Sequence, residues 1–155
     1  MVRLADLPDY ERAHLLQKCD PPLGPPAWVA PTRPLSELRI ALITTAGLHF
    51  RDDEAFGLMD HGFRPIGGEE DPENLVMSHS SVNFDRSGFQ EDINTVFPLA
   101  RFRELERRGS IGSLASVHYS FMGAGLPPAA YEDSVRGLAG MLKQDKVDAV
   151  FLTPV

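Results

Sequence analysis

The chain has 155 residues, of which 43% are hydrophobic and 24% are charged, and its formal net charge is −7. These values are typical of one globular domain with a continuous core. The acidic balance argues against nucleic-acid or anionic-membrane partners, because such binding requires clustered Lys and Arg. No apolar stretch approaches the roughly 20 residues of a membrane span, and no signal peptide is expected at the N-terminus.

Cys19 is the single cysteine, so no internal disulfide is possible. This fits the reducing cytoplasm, where we expect the protein to reside. Because Cys19 lies among prolines and far from the predicted strand ends, we interpret it as an inert thiol rather than a nucleophile.

Residues 1–36 are predicted to form an N-terminal helix and a proline-rich arm. The helical pattern covers Leu7 to Lys18, and six prolines between positions 21 and 34 exclude regular structure after it. Trp28 is expected to hold the arm against the body of the domain or to form a dimer contact. Residues 37–155 are predicted to form an α/β domain.

The first strand is predicted at Leu38 to Thr45, a largely apolar run that ends at Ala46-Gly47. This pattern is typical of a central parallel strand that enters a loop at the ligand edge. An acidic, glycine-rich loop follows, with an edge strand expected at Phe63 to Ile66. Leu75 to His79 is the next strand candidate.

Two amphipathic helices are predicted at Pro98 to Arg108 and Pro127 to Gln144, with a strand between them at Ile111 to Val117. The final run, Val147 to Val155, is typical of a strand covered on both faces of a parallel sheet. Together these elements predict a three-layer α/β sandwich with a mostly parallel, flavodoxin- or Rossmann-like sheet. Because such a strand belongs inside a domain, we expect the domain to be incomplete at its C-terminus.

Ligands of open α/β sheets bind beyond the carboxyl ends of the strands, and three histidines are predicted there: His49, His79 and His118. His79 and His118 are the stronger candidates for a general acid or base, because both are expected in polar loops at strand ends. Tyr119 is a further candidate proton donor. The alternative interpretation of each histidine is a hydrogen-bonded structural residue.

Five residues are predicted to bind substrate at this edge: Thr44, Thr45, Gly47, Asp92 and Asn94. The threonines can donate hydrogen bonds to a carboxylate, and Asp92 or Asn94 can hold an amine. The alternatives are that the threonines merely end the strand and that Asp92 or Asn94 caps the following helix.

Other kinds of site have little support from the sequence. The glycine motifs of dinucleotide and triphosphate binding are absent, and so is Gly-x-Ser-x-Gly. The side chains of His49, Asp52, Asp53 and His61 contain metal-ligating atoms but lack a spacing that fixes one geometry, so no metal site is predicted. A metal-dependent hydrolase is therefore kept only as a second alternative function.

Several motifs in order resemble the selenoprotein B family of glycine, sarcosine, betaine and D-proline reductases, and especially its short D-proline-reductase-like members. They are the segment Pro34 to Gly47, Ser78-His79, Phe84-Asp85, Asp92-Ile93-Asn94 with Val96-Phe97-Pro98, Arg103-Glu104-Leu105, Gly109-x-Ile111-Gly112 and His118 to Gly123. The resemblance covers about residues 25 to 155. Each motif is weak alone, and their order and spacing make the match specific.

The resemblance implies that selenocysteine or cysteine follows Val155 and acts as the nucleophile. Because a selenocysteine codon is otherwise read as a stop, we expect this chain to be truncated at a recoded UGA and to be inactive by itself. The implied activity is reductive cleavage of a carbon–nitrogen bond in an amino-acid-like substrate. The implied partners are a thiol reductant protein and companion subunits, one of which has a pyruvoyl group. No cofactor is expected in this chain. A homo-oligomer is a further prediction.

A second hypothesis, from a different class, is a non-catalytic α/β binding or partner subunit that ends at Val155. The codon that follows Val155 discriminates between the two.

Overall fold

A computed structural model describes residues 3–17, 29–81 and 86–155. The chain divides into two compact units, Met1–Ala30 and Pro31–Val155. The helix expected at the N-terminus is α1, Asp9–Gln17, which exposes Tyr10, Leu15 and Leu16. Most of the predicted proline-rich arm, including Cys19 and Trp28, lies outside the described residues.

The second unit contains all the described strands and three further helices. The strands are β1 (Arg39–Thr44), β2 (Leu48–Phe50), β3 (Phe63–Gly67), β4 (Leu75–Met77), β5 (Ser113–Leu114), β6 (Val117–Phe121) and β7 (Ala149–Thr153); the helices are α2 (Ser87–Glu91), α3 (Leu99–Arg107) and α4 (Glu132–Gln144). Short 3-10 turns occur at Leu35–Glu37, Pro72–Asn74, Ile93–Thr95 and Pro128–Tyr131. The protein is therefore an α/β protein, as predicted.

The main sheet is mixed but mostly parallel, and β1 is its central strand. Ile43 pairs with Tyr119 of β6 and with Leu152 of β7, both in parallel, so these two strands lie on opposite sides of β1. β5 also pairs with β1 in parallel, and β3 pairs with β6 in antiparallel fashion. The predictions of a central first strand and of a strand at Phe63 to Ile66 are confirmed.

One predicted strand is split in two by an irregular segment. β1 advances three residues from Ile40 to Ile43, while the facing chain advances five, from Leu114 to Tyr119. The extra residues interrupt the ladder, as in a bulge, and separate β5 from β6. The strand expected at Ile111 to Val117 therefore has the wrong bounds, and Ile111 is buried outside any strand.

The strand at Leu75 also differs from its prediction. β4 does not join the main sheet but pairs antiparallel with β2 in a separate two-stranded sheet. The chain nevertheless returns to the end of β1 after β4, because the Ser78 N–H donates a hydrogen bond to the Gly47 carbonyl at 2.9 Å.

The terminal strand is the clearest departure from expectation. Among the described residues β7 pairs with β1 alone, which leaves it at the edge of the sheet. Val150, Phe151 and Leu152 are 39%, 43% and 66% exposed. The prediction that this strand is covered on both faces is therefore wrong for the chain described. Its apolar sequence lies at a margin where only one neighbouring strand is present.

Apolar side chains from the sheet and the helices form two clusters. The larger contains Leu42 of β1 and Leu99 of α3, and the smaller contains Leu138 of α4 with Ile43 packed against it. Both helices were predicted. α3 begins and ends one residue inside its predicted bounds, and α4 begins at Glu132 rather than at Pro127. Within the described part of the chain, no helix has the length and apolar character needed to cross a membrane.

Candidate functional site

The carboxyl ends of β1 and β6 are joined by backbone hydrogen bonds, and they define the carboxyl edge of the sheet. The Gly47 N–H donates to the Phe121 carbonyl at 2.8 Å, and the Gly123 N–H donates to the Thr45 carbonyl at 3.0 Å. Ala46 and Met122 form an isolated bridge between these contacts. This is the edge where ligands of parallel α/β sheets bind.

Thr44 and Gly47 lie at this edge, where both shape the backbone. The Thr44 side chain is fully buried, and its hydroxyl accepts a hydrogen bond from the Ala46 N–H at 3.2 Å. Gly47 has a φ of 67°, and a Cβ there would lie 3.0 Å from the backbone nitrogen of His79. Glycine permits both the positive φ and the close approach. The predicted contacts of these two residues with substrate stay predictions.

Thr45 lies at the same edge and contacts the end of the chain. It is half-buried, and its hydroxyl accepts a hydrogen bond from the Val155 N–H at 2.9 Å. The last described residue is thereby held beside the carboxyl end of the central strand.

His79 is close to this edge, as the sequence predicted. It is buried; its Nδ1 accepts a hydrogen bond from the Ser81 N–H at 3.2 Å, and its carbonyl accepts one from Arg86 at 2.6 Å. Burial holds the pKa of His79 below its ordinary value, against the raising effect of the Ser81 contact. A neutral imidazole at neutral pH is the form that can accept a proton.

His118 does not lie in a polar loop at a strand end, so that expectation is wrong. It is fully buried inside β6, and its Nδ1 accepts a hydrogen bond from the Leu42 N–H at 3.1 Å. The ring fills the interruption in the ladder and satisfies a strand amide that the bulge leaves without a backbone partner. Burial first, and then the charge of Arg103, lower the pKa of His118 to about 4. This geometry favours the structural interpretation of His118.

Tyr119, the third acid–base candidate, is also internal. It is 2% exposed, and its ring meets the ring of Phe63 edge-on at 5.4 Å. Burial raises the pKa of Tyr119, with a further contribution from the charge of Asp145. The side chain belongs to the smaller apolar cluster together with Leu138.

His49 is engaged at both ring nitrogens. Its Nδ1 lies 2.6 Å from the Phe50 carbonyl oxygen, and its Nε2 lies 2.7 Å from the Ser78 hydroxyl. Among the described residues, no three His, Cys, Asp or Glu side chains form a group that could hold a metal ion.

Asp92 and Asn94 lie in a separate cleft of about 610 Å³. Asp92 caps the 3-10 turn Ile93–Thr95, and not α3: its carboxylate accepts hydrogen bonds from the Asn94 backbone at 2.9 Å and from the Asn94 side chain at 2.7 Å. These bonds, those from the Asn94 side chain first, lower the pKa of Asp92. The remaining lining residues are Asp71, Pro72, Glu73, Leu75, Phe89, Gln90, Glu91, Ile93, Ala100 and Arg103.

The five predicted substrate-binding residues are therefore divided between two places. Thr44, Thr45 and Gly47 lie at the strand ends, and none of them lines the cleft that contains Asp92 and Asn94. Two further residues shape these places, and neither was among the predicted site residues. Gly123 closes the edge against Thr45, and Arg103 donates hydrogen bonds to the Gly68 and Glu70 carbonyls beside the cleft. The Gly123 contact has a weak signal in its position just after a strand, whereas the Arg103 contacts have none.

The fold and the strand-end contacts define an α/β domain with a mostly parallel sheet, in which Thr44, Thr45 and His79 lie near the carboxyl end of the central strand. The family model described as glycine/sarcosine/betaine reductase selenoprotein B matches residues 25–155. The chain belongs to this family.

Curated relatives agree with the family assignment. The chain is 36% identical to the D-proline reductase subunit gamma of Acetoanaerobium sticklandii over 131 residues, which cover 83% of this chain and 53% of that protein. It is 30% identical to the betaine reductase complex component B subunit beta of Peptoclostridium acidaminophilum, over 80% of this chain and 29% of that protein. It is 31% identical to the glycine reductase complex component B subunit gamma of Symbiobacterium thermophilum, over 79% of this chain and 30% of that protein.

The chain thus spans about half the length of the first of these relatives and under a third of the other two. No solved structure gave a significant match.

Proposed function

We propose that this chain is the N-terminal portion of a selenocysteine- or cysteine-dependent reductase subunit that cleaves a carbon–nitrogen bond of an amino-acid-like substrate. The observation that carries the proposal is the contact between Thr45 and Val155, in a chain that belongs to the selenoprotein B family. The residue that follows Val155 then starts at the carboxyl end of β7, beside the end of β1. That edge is where α/β proteins of this kind bind small molecules.

A selenol or thiol in that position supplies a nucleophile that is ionised, or easily ionised, near neutral pH. The overall reaction replaces the carbon–nitrogen bond with a carbon–hydrogen bond, and the nitrogen leaves with a proton. Two electrons and two protons come from a pair of thiols, which become a disulfide. A companion chain with a carbonyl such as a pyruvoyl group is the proposed activator of the substrate amine.

Within this chain, His79 is the best-placed residue for proton transfer, because it is close to the strand ends and its pKa is lowered by burial. Thr45 and Gly47 shape the edge, and the cleft with Asp92 and Asn94 offers carboxylates to a cationic amine. His118 and Tyr119 are assigned structural roles, since both are buried within β6.

The proposal extends to the complete architecture. Leu42 and Ile43 are consecutive on β1 but belong to different apolar clusters, one with α3 and the other with α4. Successive strand residues point to opposite faces, which supports helices on both faces and a three-layer, flavodoxin-like domain. Further strands of the longer protein would pair with the exposed edge of β7. The same proposal includes a homo-oligomer within a cytoplasmic reductase complex.

The first test is the coding DNA. A UGA codon directly after Val155, followed by an open frame of α/β sequence, or a Cys codon in that position, is the expected result. Any other stop codon, or a sense codon for another residue, would overturn the proposed position of the nucleophile and favour the non-catalytic subunit.

The second test is activity of the longer chain with its companion subunits and a dithiol. Glycine, sarcosine, betaine and D-proline form the substrate panel, and the readouts are the released amine or, for D-proline, the ring-opened amino acid. Turnover with at least one substrate is expected, together with its loss when serine replaces the nucleophile. The 155-residue chain assayed in parallel should have no turnover.

A further inference from the structure

Thr45 joins the end of the central strand to the segment that follows β7. Its N–H donates to the Thr153 carbonyl at 3.1 Å, which continues the β1–β7 ladder by one step. Pro154 has no N–H and cannot extend the ladder further. Beyond it, the Val155 N–H donates to the Thr45 hydroxyl oxygen at 2.9 Å. The same hydroxyl donates to the Val155 carbonyl oxygen at 3.4 Å. A side chain therefore takes over where the backbone pairing stops.

Gly123 lies directly against the Thr45 side chain. A Cβ on Gly123 would lie 2.6 Å from the Thr45 Cβ and 2.7 Å from its hydroxyl oxygen. The Gly123 N–H also donates to the Thr45 carbonyl at 3.0 Å. Glycine is thus the residue that leaves room for this side chain. Because threonine is β-branched, its χ1 is already restricted.

We propose that Thr45 is a positioning residue, whose hydroxyl fixes the backbone of Val155 and thereby the direction in which the next residue enters the strand-end site. Consecutive Cα atoms are about 3.8 Å apart, so a fixed Val155 limits the following side chain to a small volume beside Thr45 and Gly123. The role deepens the proposed function and rests on it, since it presumes that the next residue is the nucleophile. Thr45 itself holds the backbone and takes no part in bond cleavage.

The contact is testable in the 155-residue chain by amide hydrogen exchange, measured by NMR. Thr45→Val keeps the branched shape and removes the hydroxyl, and Thr45→Ser keeps the hydroxyl. Exchange of the Val155 amide should be about 5- to 10-fold faster in Thr45→Val than in the wild type, and within about 2-fold of the wild type in Thr45→Ser. Exchange of the Leu42 amide, which bonds to His118, reports that the sheet is intact in each variant. Equal Val155 exchange in all three proteins would overturn the proposal.

The functional test uses the longer chain in its complex. Thr45→Val should lower kcat about 10-fold with little change in KM, because the substrate is still bound and the nucleophile is misdirected. Thr45→Ser should restore most of kcat, which a purely structural role of the methyl group would not do. An unchanged kcat in Thr45→Val overturns the positioning role alone, whereas a wild-type complex without turnover overturns the proposed function and this role with it.

Discussion

β6 and β7 flank the same central strand, yet their burial is the reverse of what their sequences suggest. β6 contains His118, Tyr119 and Ser120, which are all buried, whereas β7 exposes Phe151 and Leu152. Two polar atoms of β6 are satisfied by backbone amides: the His118 Nδ1 accepts from Leu42, and the Ser120 hydroxyl accepts from Leu48 at 2.7 Å, whereas the buried Nε2 of His118 has no hydrogen-bond partner among the described residues. Position in the sheet, rather than hydropathy, therefore decides which strand is internal in the described chain.

The largest effect that tests this comparison is expected from His118→Ala. The substitution leaves a cavity in the core and a buried Leu42 N–H without its acceptor, so we expect the free energy of unfolding to fall by about 3 to 5 kcal/mol. Val150→Ala in β7 is the control, because this side chain is 39% exposed, and it should cost less than about 1 kcal/mol. Urea denaturation measures both, and equal losses would contradict the comparison.

The second expected effect is a dependence of stability on pH. A histidine whose pKa is about 4 in the folded state and about 6.5 in the unfolded chain contributes stability that is complete above pH 6.5 and is lost as the pH falls towards 4. Denaturation at about pH 7.5 and about pH 4.5 should therefore differ by about 2 to 3 kcal/mol from this group.

His79 adds to the loss in the same direction, because burial lowers its pKa as well. The carboxylates with lowered pKa, such as Asp145, act at lower pH and contribute little in this window. In His118→Asn, which keeps a hydrogen-bond acceptor but does not titrate, the pH dependence should be smaller. A dependence identical to that of the wild type would show that His118 is not its source.

The third prediction concerns Arg39, which links both flanking sides of β1. Its guanidinium donates to the Leu114 carbonyl at 2.6 Å on the β5 side and to Asp145 at 2.5 Å after α4. Burial of Asp145 alone would raise its pKa, but the hydrogen bonds from Arg39 and Ser116 lower it. Arg39→Met should therefore reduce the free energy of unfolding by about 1.5 to 3 kcal/mol.

Arg136→Met is the matched control for Arg39→Met. Arg136 pairs with Glu132 on the surface of α4, with 74% and 61% of the two side chains exposed. Such exposed pairs are screened by solvent and contribute little to stability, so Arg136→Met should cost much less than Arg39→Met. If thermal denaturation gave similar losses for the two variants, Arg39 would not link the two sides of the sheet.

The sequence predicted the parts of the fold that local pattern determines. The apolar run of β1 and the amphipathic stripes of α3 and α4 were recognised, because burial on one or both faces sets the spacing of apolar residues. The separate pairing of β4 with β2 was not predicted, since the partner of a three-residue strand depends on contacts distant in sequence.

The candidate site was predicted only in part for the same reason. His79 lies close to the strand ends as expected, because its position follows from the short return of the chain to Gly47. His118 was misplaced because the two extra residues between β5 and β6 have no local signal, and they carry the ring into the sheet. The contact of Thr45 with Val155 joins residues far apart in the chain, and nothing in either segment alone indicates it.

The smallest expected effect on stability belongs to the exposed strand. Leu152 is 66% exposed on β7, so Leu152→Lys should change the free energy of unfolding by less than about 0.5 kcal/mol. If the proposed homo-oligomer forms through the free edge of β7, the same variant should weaken self-association in sedimentation velocity, because a charge on an edge strand opposes pairing with a second chain. Leu58→Lys is the control: Leu58 is 64% exposed but lies outside the strands, and its substitution should leave association unchanged. Equal effects of the two substitutions would mean that general surface hydrophobicity, and not the free edge of β7, brings copies of the chain together.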